Sequence, residues 1–151
     1  MAELYKNFSD LTVKISKLNK SFMSCIEDEL LFNGIYDINA TQALMLKNIG
    51  QDKSNVHKTS TQGYYLGKNL SYNGDSLLKK GYIIKQQGYN DKRCVYLMLT
   101  EKGMEIFDIV NNALTVQQES LTKKGIKDNS IESINKIVDK LQRILDNNIR
   151  I

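Results

Sequence analysis

The chain has no proline and no tryptophan, one histidine and two cysteines in 151 residues. Without proline, the stops between elements fall to glycine and asparagine, which accept the backbone conformations that turns need. A single histidine, His57, and no HExxH, GxSxG or phosphate-loop pattern leave catalysis with little to use, so the chain is expected not to be an enzyme. His57 with Cys25 and Cys94 far from each other is no clustered ligand set, and no metal or other cofactor is expected. Two cysteines are also too few and too distant for a disulfide framework, which makes a reducing cytoplasm the default location. No apolar run approaches the roughly 20 residues of a membrane span, and the start MAELYKNFSDL lacks the apolar core of a signal peptide. No membrane partner is expected.

What is present is the composition of an ordinary globular protein, 41% hydrophobic and 25% charged, at a length that fits one domain over 1–151. The net charge of +4 is unevenly spread. From Lys53 to Arg93 eight Lys and Arg face two acids, a net of +6, so the remaining 13 basic and 15 acidic residues carry −2. A basic middle between slightly acidic ends suggests a surface that faces a polyanion, although a solvated lysine-rich surface reads the same way.

Both ends are helical in pattern. Leu11, Ile15, Leu18, Phe22 and Ile26 repeat at steps of 4, 3, 4 and 4, with Ser9 as a candidate N-cap and Gly34 as a stop. Ile131, Ile134, Val138, Leu141 and Leu145 repeat at 3, 4, 3 and 4, with Ser130 in N-cap position, and Ile137 and Ile144 widen the stripe. A further helix runs from Glu101 to about Glu119. Stripes this long fit either an intramolecular bundle or, as the favoured expectation, a helical homodimer interface. It would be built from 9–33 and 104–149, with Leu11, Ile15, Leu18, Ile134, Val138, Leu141 and Leu145 at the contact.

The middle, 39–103, carries more signals. Thr41 to Ile49 reads as a short helix ended by Gly50. Asn55 to about Gln62 is ambiguous and reads as a strand residue at Val56 followed by a brief helix, and Gly63 and Gly67 bracket a turn. Lys68 to Lys80 reads as a helix with Leu70, Leu77 and Leu78 on its apolar face and Lys68, Asn69, Ser71, Tyr72, Asp75, Ser76 and Lys79 on the other. Gly74 inside it costs about 1 kcal/mol relative to alanine, so packing must hold it. Gly81 suits the position after its end. This order is that of a helix-turn-helix. Tyr82 to Gln87 and Cys94 to Leu99 then read as two strands, with Val95, Leu97 and Leu99 on one face. The loop between them, Gly88 to Arg93, ends in Lys92-Arg93. A hairpin directly after the second helix is a wing, and cations at its tip suit a narrow minor groove while the helix occupies the major groove. A charged solubilising turn is the plainer alternative.

Asp91-Lys92-Arg93, followed by Leu97, Leu99-Thr100 and Lys102-Gly103, resembles the D-x-R…L-x-L-T-x-x-G wing signature of MarR-type winged-helix regulators. The expected fold is therefore α+β, mainly α: a winged helix-turn-helix DNA-binding lobe with a helical dimerisation region from both chain ends. Asp37-Ile38-Asn39, Gln42-Ala43-Leu44, Asn48-Ile49-Gly50, Gly63-Tyr64-Tyr65-Leu66-Gly67 and Ser71-Tyr72-Asn73 further resemble the LdtR group of alphaproteobacterial regulators. That resemblance implies control of cell-wall remodelling genes, L,D-transpeptidases among them, and modulation by a small molecule. The winged helix-turn-helix reading makes Lys68, Asn69, Ser71, Tyr72, Asn73, Lys79, Lys85, Lys92 and Arg93 the expected contacts to double-stranded DNA. The DNA site would be a pseudo-palindromic operator with half-sites about one helical turn, roughly 10 bp, apart. The resemblance also implies a ligand site where the first helix meets the lobe, for which the sequence offers Phe22, Cys25, Thr41, Met45, Tyr64 and Tyr65 as apolar walls with a few polar groups. The chain would then work in the cytoplasm at the nucleoid. Asp75 departs from the pattern: an acid near phosphates must contact a cytosine amino group or another side chain, or point away. Two other classes stay open, a winged helix used for protein contacts and a redox-sensing regulator acting through Cys94 beside Arg93.

Overall fold

The computed structural model describes residues 2–50, 54–55, 70–87 and 95–148. The element order is α1 (Ala2–Phe32), α2 (Ala40–Ile49), β1 (Ser54–Asn55), α3 (Leu70–Lys79), β2 (Ile83–Gln87), β3 (Val95–Leu99), α4 (Glu101–Lys123) and α5 (Asp128–Asn148). The mainly helical fold with a small antiparallel sheet is the one expected. The chain forms two compact units, Met1–Ala113 and Leu114–Ile151.

In the first unit β3 lies between β1 and β2, antiparallel to both. Ile83 pairs with Leu99 and Gln87 with Val95, an antiparallel register. α2 packs against α1 and β3, and α3 packs against β2. Their buried side chains form one core: Ile26 and Leu30 from α1, Ala43, Met45 and Leu46 from α2, Leu77 from α3, Ile83 and Leu97 from the hairpin, Ile106 and Val110 from α4.

Local chemistry explains where the helices begin and stop. Asn39 caps α2: its Oδ1 accepts from Gln42 N at 2.9 Å, while Gln42 Oε1 accepts from Asn39 N at 3.3 Å. Gly81 ends α3 with φ +75. Gly81 N donates to Leu78 O and Tyr82 N to Leu77 O, the paired bonds that close a helix through a left-handed residue, which glycine adopts without strain. Gly34 and Gly125 close α1 and α4 by the same pair of bonds. Glycine thus does the work that the absent prolines leave undone.

Two expected N-caps are corrected. α1 starts at Ala2, so Ser9 is a mid-helix residue whose carbonyl accepts from Thr12 Oγ1 at 2.7 Å. The apolar spacing extends backward through Phe8 and Tyr5 and overrides the local serine signal. α5 starts at Asp128, which places Ser130 in its first turn, N–H bonded to Lys127 O at 3.0 Å. β1 covers Ser54–Asn55. Val56 and the readings made for 56–69, Lys68 and Asn69 among them, lie outside the described residues.

The start of α4 accounts physically for Leu99-Thr100-x-x-Gly103. Thr100 N donates to Tyr82 O at 3.0 Å, extending the β2–β3 ladder by one bond, and its hydroxyl donates to Gly81 O at 2.7 Å. The same hydroxyl accepts from Gly103 N at 3.1 Å, capping α4. That geometry presses the first turn of α4 onto the backbone of Tyr82. A Cβ on Gly103 would stand 2.1 Å from Tyr82 O.

Candidate nucleic-acid interface

The residues of α3 divide cleanly. Asn73, Gly74 and Leu77 face inward, whereas Tyr72, Asp75 and Lys79 are exposed at i, i+3 and i+7, one stripe on the outer side of the helix. Tyr72 is 78% exposed, a large aromatic side chain presented to solvent near the start of this ten-residue helix. Asn73 is corrected: at 8% exposure it belongs to the lobe's interior and cannot be an outer contact, because it lies on the same side of the helix as Leu77. Ser71 lies in the first turn of α3.

α3 packs on β2 and is also held by two side chains of α2. Gln42, buried, uses Nε2 to donate to Ser76 Oγ at 3.2 Å while its Oε1 completes the Asn39 cap. Met45 lies beneath Gly74, its Cε 3.6 Å from the point a Cβ would occupy. That is ordinary contact, so the glycine is not demanded by space, and its cost in helix propensity is borne by packing. Gln42 was no expected functional residue. The Asn39-x-x-Gln42 spacing of a capping box was the signal that could have found it.

Behind the hairpin sits a polar cluster. Tyr82, fully buried, donates its hydroxyl to Asp37 Oδ1 at 2.6 Å. Lys102 Nζ lies 3.4 Å from Asp37 Oδ2, 3.2 Å from Lys80 O and 3.9 Å from the centre of the Tyr82 ring, a cation–π arrangement. Lys80 Nζ donates to Asp37 O, so this lysine of the basic middle is turned to a structural use. Tyr82's hydrogen bond holds the Asp37 carboxyl below the usual carboxylate range, with Lys102 adding to it against some desolvation. Burial, and then the Asp37 carboxylate, push the Tyr82 phenol well above its ordinary value of 10.

The signs follow from linkage. A depressed carboxyl stabilises the fold above its unfolded value of about 4, and that contribution is lost as pH falls through the folded value. A raised phenol contributes below pH 10 and loses that contribution as pH rises beyond it. Asp37→Asn should therefore lower the urea midpoint at neutral pH and flatten its fall below about pH 4. A midpoint with the same acid dependence as the wild type would remove Asp37 from this role.

The outward cations among the described residues of the interface are Lys79 on α3 and Lys85 on β2. Lys85 Nζ stands 3.5 Å from Asp75 Oδ1, a solvent-exposed pair joining helix to hairpin. Of the alternatives open for Asp75, contact with another side chain is thus realised. Lys92, Arg93 and Cys94 lie outside the described residues.

Among the expected ligand residues, Phe22, Cys25 and Thr41 are half-buried. Met45 is 1% exposed and packed under α3 in the core. Tyr64 and Tyr65 lie outside the described residues. A cavity of about 260 Å³ in this unit sits elsewhere, lined by Glu27, Leu30, Leu31, Ile35, Tyr36, Ile38 and Asn39 at the α1–α2 connection. None of the expected ligand residues lines it.

The expected dimer residues are placed as follows. Leu11, Ile15 and Leu18 on α1, with Tyr5, Phe8 and Val13, are exposed apolar side chains. On α5, Ile134, Val138 and Leu145 are exposed beside Ile131, Ile137 and Ile144, and Leu141 is half-buried. Among the described residues no group of His, Cys, Asp or Glu is arranged to hold a metal, and no helix is long and apolar enough to cross a membrane.

A short helix docked on a second helix with an outward polar stripe, followed by a hairpin, defines a winged helix-turn-helix. The chain is similar in structure to FabT of Streptococcus pneumoniae in complex with DNA, with a TM-score of 0.70 at 19% identity, covering 93% of this chain and 98% of that one. It is also similar to a mutant MarR of E. coli complexed with operator DNA, with a TM-score of 0.67 at 19% identity over 91% of this chain and 97% of that one. AbfR in reduced, DNA-bound form matches with a TM-score of 0.68 at 17% identity over 95% and 97% of the two chains. The fold is that of MarR-type winged-helix proteins. In sequence, the chain is 24% identical over 143 residues to the exopolysaccharide II synthesis transcriptional activator ExpG of Rhizobium meliloti, covering 95% of this chain and 74% of that protein. No protein-family model matches the sequence.

Proposed function

We propose that the chain is a sequence-specific regulator of transcription that binds double-stranded DNA as a homodimer. The observation that carries this reading is the outward stripe Tyr72, Asp75 and Lys79 on a helix followed directly by a hairpin. A helix about 10 Å wide fits the major groove, and the hairpin then reaches the adjoining backbone or minor groove. The basic segment 53–93 supplies charge for phosphates, with Lys68, Asn69, Ser71, Lys92 and Arg93 as further contacts. DNA-bound proteins among the structural neighbours and a transcriptional activator among the sequence relatives support it.

Dimerisation is supported by apolar side chains left in water along α1 and α5, which a single chain does not cover. Two copies about a two-fold axis would read a pseudo-palindromic operator in the cytoplasm, at the nucleoid. The resemblance to the LdtR group, together with a relative that acts in exopolysaccharide synthesis, favours genes for cell-envelope polymers as targets. A small apolar effector at Phe22, Cys25, Thr41, Tyr64 and Tyr65 completes the reading. It releases DNA only insofar as it binds the DNA-incompetent state better, and saturating DNA must weaken it by the same factor.

A salt-titrated gel shift with genomic fragments tests the reading: specific fragments should be retained over random duplex, with affinity falling steeply as salt rises. Arg93, which the sequence places between β2 and β3, should carry a large share. Arg93→Ala removes one contact per subunit, about 1–2 kcal/mol each, so binding should weaken at least tenfold and the salt slope should flatten. Unchanged affinity and slope in a folded variant would take the wing off the DNA.

A further inference from the structure

We propose that Asp75 is a base-reading residue of α3, its carboxylate positioned by Lys85 to select a cytosine amino group in the major groove. The inference rests on the DNA-binding reading above and adds the base it would read.

Asp75 occupies the middle of the outward stripe, one turn after Tyr72 and one turn before Lys79. Whatever groove receives this helix receives Asp75 at its centre. An isolated carboxylate there would be repelled by phosphates and would lower affinity for every sequence alike. Lys85 changes that. It comes from β2, opposite Leu97 of β3, and places its ammonium 3.5 Å from Asp75 Oδ1. The pair is close to neutral as a unit, so the general repulsion is largely offset. The Asp75 side chain remains 61% exposed, so lone pairs face outward for a donor from outside the protein.

A carboxylate accepts hydrogen bonds and donates none. Among the major-groove edges, guanine offers N7 and O6 and thymine offers O4, all acceptors, which would meet Asp75 as like partners. Adenine offers an amino group beside the acceptor N7. Cytosine alone offers its N4 amino group with no acceptor at that edge. The pair therefore favours cytosine and disfavours guanine at one position of each half-site. The ion pair also fixes the helix to the hairpin, which restricts the carboxylate's rotamers before DNA arrives and lowers the ordering cost of the contact.

The test is selection from a duplex pool randomised over roughly 30 bp, three helical turns, run on the full chain and on Asp75→Asn and Asp75→Ala. The wild type should prefer cytosine over guanine by at least about fivefold at one position per half-site. Asp75→Asn should move that preference to adenine, because an amide both donates to N7 and accepts from N6. Asp75→Ala should level the four bases at that position to within about twofold, the other positions keeping their order. Identical base preferences in Asp75→Asn and the wild type, or a uniform gain of affinity in Asp75→Ala with the preference kept, would overturn the assignment while leaving DNA binding intact. Failure of the wild type to retain any duplex would overturn both it and the reading on which it stands.

Discussion

Gly103→Ala should destabilise the first unit by about 3 kcal/mol or more, read as a lower urea midpoint with unchanged slope. The methyl group would meet Tyr82 O at 2.1 Å, a backbone atom rather than the end of a flexible side chain. That oxygen is also fixed from the other side. It accepts from Thr100 N at 3.0 Å, and the Tyr82 ring is buried and tethered to Asp37 at 2.6 Å. Relief would require α4 to lift from the sheet, which breaks the Thr100 bonds to Gly81 O and Gly103 N as well. Each lost bond that leaves a part-buried group unsatisfied costs about 1 kcal/mol or more. A variant as stable as the wild type would show that α4 does not press on Tyr82 as described.

The second large effect concerns α5. Changing Leu141 and Leu145 together to aspartate should abolish the proposed dimer, giving a monomer or an unfolded chain by light scattering and circular dichroism. Both residues lie on the 3,4-spaced stripe that includes Ile134 and Val138, and Leu145 is exposed in the single chain. Burying a leucine against a partner contributes about 2 kcal/mol, somewhat less for Leu141, which is half-buried already. Two-fold symmetry doubles every such contact, and a carboxylate in an apolar seam adds a desolvation cost. The total is several kcal/mol, enough to empty a dimer at micromolar concentration. A stable dimer in the double variant would exclude this stripe from the interface.

Much of the fold was legible because its signals were periodic or chemically narrow. The α5 stripe, the Gly81 stop and the alternation through Leu97 each point to one local structure, and each is found. Boundaries were read less well. Ser9 and Ser130 have good capping chemistry, but Tyr5 and Phe8 carry the apolar period of α1 back past Ser9, and α5 starts at Asp128, two residues before Ser130. At the site, the outward positions Tyr72 and Lys79 follow from helical spacing, whereas Asn73 was misplaced because polarity says nothing about which side of a helix a short amide occupies. Met45 shows the limit in the opposite direction: apolar walls of a ligand site and apolar core look alike in sequence. The Asp37–Tyr82–Lys102 cluster joins residues 45 and 65 positions apart. No spacing rule reaches that far.

The dependence of α3 on α2 has a consequence for how the protein opens. Ten residues with a glycine at their centre are too few to hold a helix unaided in water, so α3 is ordered by its neighbours, β2 and the Gln42 and Met45 side chains of α2. Local unfolding of α2 removes two of the supports of α3, so the amide protons of the two helices should exchange with solvent as a coupled block. Affinity scales with the fraction of molecules in which that block is closed. A substitution in α2 that weakens this support would thus be felt at the proposed interface as a smaller competent population.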